Sequence, residues 1–131
     1  MSIVLDANIL IALQKEQDAH HQKAQALLLE PGDFLVHPLT MAEVLVGGVR
    51  IGQGAAMLEA ILQAGIALSP ADTPKPLDLA EVQHSSGLKM PDAVVLACAK
   101  ALGAKLATVD ENLAKAAANL GVKLVFALKD K

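Results

Sequence analysis

Residues 2–10 read Ser-Ile-Val-Leu-Asp-Ala-Asn-Ile-Leu, and the fold turns on the break at Asp6. Ser2–Leu5 is a short apolar run with β-branched residues and reads as a buried strand. From Ala7 to Lys15 the apolar residues Ile9, Leu10 and Leu13 recur at helical spacing, with Asp6 or Asn8 placed to cap the helix. Working outward, helical stretches are expected over 19–30, closed by Pro31-Gly32, and from Thr40 to about Gly47 or Ile51. Thr40 stands three residues before Glu43, the spacing of a capping box. Further helices are expected over 54–64, 77–86, 92–102 and 113–120, with Pro91 in a first turn and Gly65, Gly103 and Gly121 as stops. Strands are expected over 34–37, 66–68, 105–109 and 122–128. Strands alternating with helices imply one α/β domain over residues 1–131: a parallel sheet between two helical layers. Residues 129–131 read as a frayed end.

Composition narrows the functions available. The chain is 131 residues long, 53% hydrophobic, and contains only two aromatic residues, Phe34 and Phe126. Its core must be aliphatic, and it has no ring platform on which to stack single-stranded bases. A net charge of −3 excludes nucleic-acid binding by bulk charge, so any RNA must be held by a local basic patch, a metal or a partner. A single cysteine, Cys98, cannot form an internal disulfide and suits a reducing compartment. With no signal peptide or membrane span apparent, a cytoplasmic protein is expected.

Two acids stand at strand ends: Asp6 after the first strand and Asp110 after a later one. Ligands of open parallel sheets bind outside the carboxyl ends of the strands, where strand order reverses, so these two can share a site. Glu43, in a first helical turn, and Asp92, just after Pro91, are the other carboxylates at strong boundaries. Each has a plain alternative as a helix cap or as an answer to a helix dipole. All four nevertheless lie beside apolar runs, where clustered acids repel and desolvation raises their pKa. A hard cation such as Mg²⁺ or Mn²⁺ would offset that, and all-oxygen ligation suits either.

Four blocks occur in order: Ile-Val-Leu-Asp6-Ala-Asn8-Ile-Leu, Leu-Thr40-Met-Ala-Glu43-Val, Pro-Asp92-Ala-Val-Val-Leu-Ala-Cys-Ala and Ala-Thr108-Val-Asp110. Together they resemble the PIN-domain signature, especially that of the toxin half of VapBC-type toxin–antitoxin pairs. The resemblance implies a three-layer α/β/α fold and Mg²⁺-dependent endoribonuclease activity. It carries Asp6, Glu43, Asp92 and Asp110 over as an acidic quartet that binds metal, with Asn8, Thr40 and Thr108 supporting them. It also implies an RNA substrate, a homodimer and an antitoxin partner. Two other readings stand beside it: a non-catalytic PIN-like module that binds RNA or protein, and a phosphatase of the haloacid dehalogenase type. The second requires an Asp where this chain has Asn8.

Lys15, Arg50 and Lys89 fall near the acidic blocks and are candidate phosphate contacts, or else solvated surface charges. His20, His21, His37 and His84 lack the spacing of a zinc site, and Cys98 reads as a small core residue. The glycines at 47, 48, 52 and 54 lack a P-loop lysine pattern and are expected to let helices pack closely. The stripe from Met41 to Leu62 carries more apolar surface than one buried helix face needs, which suits a dimer face or a partner groove.

Overall fold

In a computed structural model of the chain, residues 1–125 are described. The element order is β1 (Ser2–Leu5), α1 (Ala7–Gln14), α2 (His21–Leu27), β2 (Asp33–Val36), α3 (Pro38–Arg50), α4 (Gly54–Gln63) and β3 (Ile66–Leu68). It continues with α5 (Pro76–Ser86), α6 (Met90–Leu102), β4 (Lys105–Ala107) and α7 (Glu111–Asn119). The strands form one parallel sheet in the order β3-β2-β1-β4.

Side chains alternate across a strand, and β1 shows the result. Ile3 and Leu5 enter a core with Ile9, Leu10, Leu27, Met41, Val44 and Ile61, beneath α1–α4. Val4 faces the other way, into a core with Val82, Leu96, Leu106 and Leu113, beneath α5–α7. The sheet is therefore the middle of three layers, as the sequence pattern implied. α6 is buried at every position from Ala93 to Ala99. Cys98 among them is fully buried, with its thiol 3.5 Å from the Ser69 hydroxyl.

The expected helices and the first four expected strands are present, and the differences lie at their ends. α3 begins at Pro38, not Thr40. The His37 ring Nδ1 accepts the Leu39 N–H at 3.1 Å, and Pro38 supplies a helical φ at the first position. The cap therefore falls three residues early and leaves Thr40 inside the helix. β4 stops at Ala107, so Asp110 follows it by three residues and caps α7, accepting the Leu113 N–H at 3.0 Å. The chain returns beside β4 through a parallel bridge between Leu106 and Leu124. The rest of the expected last strand, Phe126 and the frayed end lie outside the described residues.

Gly48 and Gly54 do permit a close helix pair. A methyl group at Gly48 would stand 3.0 Å from the Met57 terminal carbon, and one at Gly54 would stand 2.7 Å from Val49. Burial accounts for Met41, Val44 and Ile61 of the apolar stripe, whereas Val49 and Leu62 are exposed.

Candidate metal centre

The chain runs outward from β1 through β2 to β3, then crosses back to lay β4 on the other side of β1. The reversal falls between β1 and β4, and the crevice above it takes the residues that follow both strands. Asp6 follows β1. Thr108, Val109 and Asp110 follow β4.

Asp6 is buried, and two hydrogen bonds fix its carboxylate. Oδ1 accepts the Ala7 N–H at 2.8 Å, and Oδ2 accepts the Thr108 hydroxyl at 2.7 Å. Thr108 is itself fully buried and joins the site's two halves. Its oxygen also accepts the Asp110 N–H at 3.0 Å and the Asn8 side-chain amide at 3.3 Å. Asn8 returns through its own oxygen to the Val109 N–H at 3.4 Å. The supporting roles expected of Asn8 and Thr108 thus have a physical form: they tie the loop after β4 to the turn after β1.

The carboxylates feel one another. Burial pushes the Asp6 pKa up, and the charges of Asp92 and Asp110 add to that. Asp92 is raised by burial and then by Asp110, with Lys89 opposing. Glu43 is raised by partial burial and by Asp92. Asp92 is the common neighbour, since its interactions reach each of the other three acids. Both readings of Asp6 and Asp110 hold at once: each caps a helix and each belongs to the acidic cluster.

The donor set fits a hard cation. It is all carboxylate oxygen, and each Asp6 oxygen accepts one hydrogen bond while a carboxylate has about four lone-pair sites. Thr40, one helical turn before Glu43, is buried with a hydroxyl that has no partner among the described residues. Such a group costs about 1–3 kcal/mol unless something satisfies it, and a hydrated ion is one source of partners. Among the described residues no three His, Cys, Asp or Glu side chains are already drawn in to hold an ion. The acids form a field of like charge, not a closed cage.

That field has a measurable signature. Folding raises the Asp6, Asp92 and Glu43 pKa above ordinary values of 3.8, 3.8 and 4.5. Between those values and the raised ones the folded chain binds more protons than the unfolded chain. Its stability without metal therefore rises as pH falls through the raised values and levels off below the ordinary ones. Asp92→Asn removes the shared charge, so the metal-free variant is expected to melt a few degrees above the parent at pH 7. The gap should close near pH 4, and added Mg²⁺ should raise only the parent's Tm. A variant that melts lower at pH 7 with an unchanged pH profile would refute mutual repulsion as the cause.

The three candidate phosphate contacts separate. Lys89 stands at the N-cap position of α6 without a side-chain cap bond, and its charge acts on Asp92. Lys15 lies at the far end of α1 from Asp6, and Arg50 is the last residue of α3, seven residues beyond Glu43. Two of the histidines serve the fold: His37 caps α3 and is hydrogen-bonded to the Thr73 backbone, and the His21 ring lies 2.7 Å from the Ala12 carbonyl. Two residues not singled out from sequence, Lys115 and Asn119, line a cavity together with Asp92 and Asp110. The signal was the Asn112, Lys115, Asn119 spacing, which emerges once α7 is started at Glu111 and not at Leu113.

The PIN domain family model matches residues 3–119, which include all four acids. This chain belongs to the PIN domain family. The PIN chain is 31% identical to Ribonuclease VapC29 of Mycobacterium tuberculosis over 119 residues, covering 87% of this chain and 90% of that one. It is also similar to a solved toxin–antitoxin complex from Klebsiella pneumoniae, with a TM-score of 0.67, 26% identity, and coverage of 82% of this chain and 86% of that one. VapBC2 from Rickettsia felis, solved with a promoter DNA fragment, shares the fold at a TM-score of 0.74 and 16% identity, covering 96% and 98% of the two chains. No helix among the described residues of the PIN domain is long and apolar enough to cross a membrane.

Proposed function

We propose that this chain is a divalent-metal-dependent endoribonuclease and the toxin half of a toxin–antitoxin pair. The observation that carries the reading is the cluster of Asp6, Glu43, Asp92 and Asp110 at the point where strand order reverses, in a chain 31% identical to a ribonuclease. These four acids would hold Mg²⁺, with Mn²⁺ as a substitute. When bound, such a cation supplies an acidified water and neutralises charge on the phosphodiester.

The chain's own residues do the positioning. Thr108 and the Ala7 N–H hold the Asp6 carboxylate in one orientation, and Thr108 also holds the Asp110 backbone. Lys89, beside Asp92, offsets the repulsion between the acids and an approaching phosphate. Asn8 points away from a haloacid dehalogenase phosphatase, because its side chain is spent on Thr108 and Val109.

An antitoxin protein, a homodimer and a cytoplasmic location complete the proposal; the exposed Leu39, Val46 and Val49 on α3 offer apolar surface for protein contacts. The test is incubation of the purified protein with a panel of RNAs in Mg²⁺ or Mn²⁺ against chelator. Internal cuts that need the metal support the proposal. RNAs left whole in both metals favour the non-catalytic reading.

A further inference from the structure

Beside Asp92 and Asp110 opens a cleft of about 560 Å³. One wall is the turn from α5 into α6, with Ser86, Leu88 and Lys89. The other is a face of α7, with Asn112, Lys115 and Asn119. The α7 positions follow the three- and four-residue spacing that puts side chains on one stripe.

The polar groups of the two walls differ in what they have left to offer. The Ser86 hydroxyl is occupied, accepting the Leu88 N–H at 3.2 Å and lying 3.5 Å from the Gln83 carbonyl. Asn112, Lys115 and Asn119 are exposed and make no side-chain hydrogen bond or ion pair with another described residue. Two cations and two carboxamides therefore line one cavity that ends on two acids of the site.

RNA cut at those acids must bring its neighbouring phosphates close to negative charge, on a protein whose net charge is −3. Local cations must offset that repulsion, and in this cleft they are Lys89 and Lys115. The described residues lining the cleft include no aromatic ring, so a base entering it meets groups that read its edge and none on which to stack. A carboxamide offers a donor and an acceptor together, which suits a base edge. Leu88 and Ala116 supply an apolar surface for the base's face. The volume falls within the roughly 300–1,000 Å³ of small-ligand sites.

On the ribonuclease reading above, we infer that this cleft seats the nucleotide next to the scissile phosphate. Lys89 and Lys115 hold its phosphates, and Asn112 and Asn119 select its base. The cleft thereby sets sequence preference on one side of the cut only.

Two measurements test this. With chelator present, binding of a fluorescein-labelled single-stranded RNA of random sequence is followed against salt for the parent, Lys115→Ala and Lys100→Ala. Lys100 is an exposed lysine outside the cleft and controls for charge. Lys115→Ala is expected to weaken binding about three- to tenfold and to lower the salt slope by about 0.7, with Lys100→Ala changing neither.

With Mg²⁺ present, the ends produced from a randomised RNA pool are sequenced for the parent and for the doubly substituted Asn112→Ala/Asn119→Ala protein. The parent's base preference on one side of the cut should flatten by about tenfold. Equal binding by the two lysine variants, or an unchanged base profile from the double variant, overturns the inference. Normal cutting with indifferent cleft variants removes the cleft alone. A parent that cuts no RNA removes the ribonuclease reading, and the binding measurement still judges the lysines.

Discussion

Asp6→Asn is expected to fold and to cut RNA more than about a hundredfold more slowly than the parent, beyond the roughly 10–100-fold cost of removing a residue that merely supports a metal ligand. The substitution keeps the side chain's shape and removes its charge. It also leaves one oxygen where the structure uses two, since the Ala7 N–H and the Thr108 hydroxyl each bond to a different Asp6 oxygen. One of those donors then faces an amide NH₂, a loss of about 1–3 kcal/mol. Relief from burying a charge near Asp92 and Asp110 works in the opposite direction. The two effects partly cancel, so the loss of activity should far exceed the change in stability. Cleavage rates and a melting curve on the same preparation read both. A folded variant that cuts at the parental rate would remove Asp6 from the metal centre.

Thr108→Val should show the reverse emphasis, with the larger effect on stability. Valine matches threonine in shape but lacks the hydroxyl that serves three partners. Asp6 loses a donor, and the Asp110 N–H and the Asn8 amide lose an acceptor, at a position with no exposure. Leaving such groups unpaired is expected to cost about 2–4 kcal/mol, or about 7–14 °C in Tm for a chain of this size. Activity should fall too, and its acid limb should move to higher pH. The Thr108 hydrogen bond holds the Asp6 pKa down against burial, so its loss raises that pKa further. Thr108→Ser restores the hydroxyl and should recover most of both properties. A Thr108→Val protein that melts within about 2 °C of the parent would show that the network adds little.

Much of the fold was legible because its signals are local. The apolar run to Leu5, the Pro31-Gly32 break and the glycine stops at 65, 103 and 121 mark boundaries within the reach of a few residues. Where the reading slipped, a nearby group competed for the same role. His37, which reads from sequence as a surface or capping residue, takes the cap that the Thr40–Glu43 spacing suggests three residues later, because its ring nitrogen reaches the Leu39 N–H first. β4 was extended to Val109 because Thr108 and Val109 favour strands, whereas the Thr108 side chain turns that segment into the link to Asp6.

The acids were legible as residues, and Asp6 with Asp110 as a pair at strand ends, but the approach of Glu43 to Asp92 was not. Nothing local in the sequence brings Glu43 and Asp92 together, because their proximity comes from contact between α3 and α6, which belong to opposite helical layers. Lys115 was missed for a simpler reason. With the start of α7 placed two residues late, the stripe through Asn112 and Asn119 had no register.

The hydroxyl that joins Asp6 to the loop after β4 spans 102 residues of chain. A ribosome making this protein delivers Asp6 long before Thr108 and Asp110, and a contact of such long range forms only once its distant half has emerged. A chain not yet made that far therefore carries Asp6 and Glu43 without the residues that orient and complete them. On the ribonuclease reading, the growing chain is harmless to the RNA around it until Thr108 and Asp110 have emerged. The proposed antitoxin would then have a defined moment at which to be waiting.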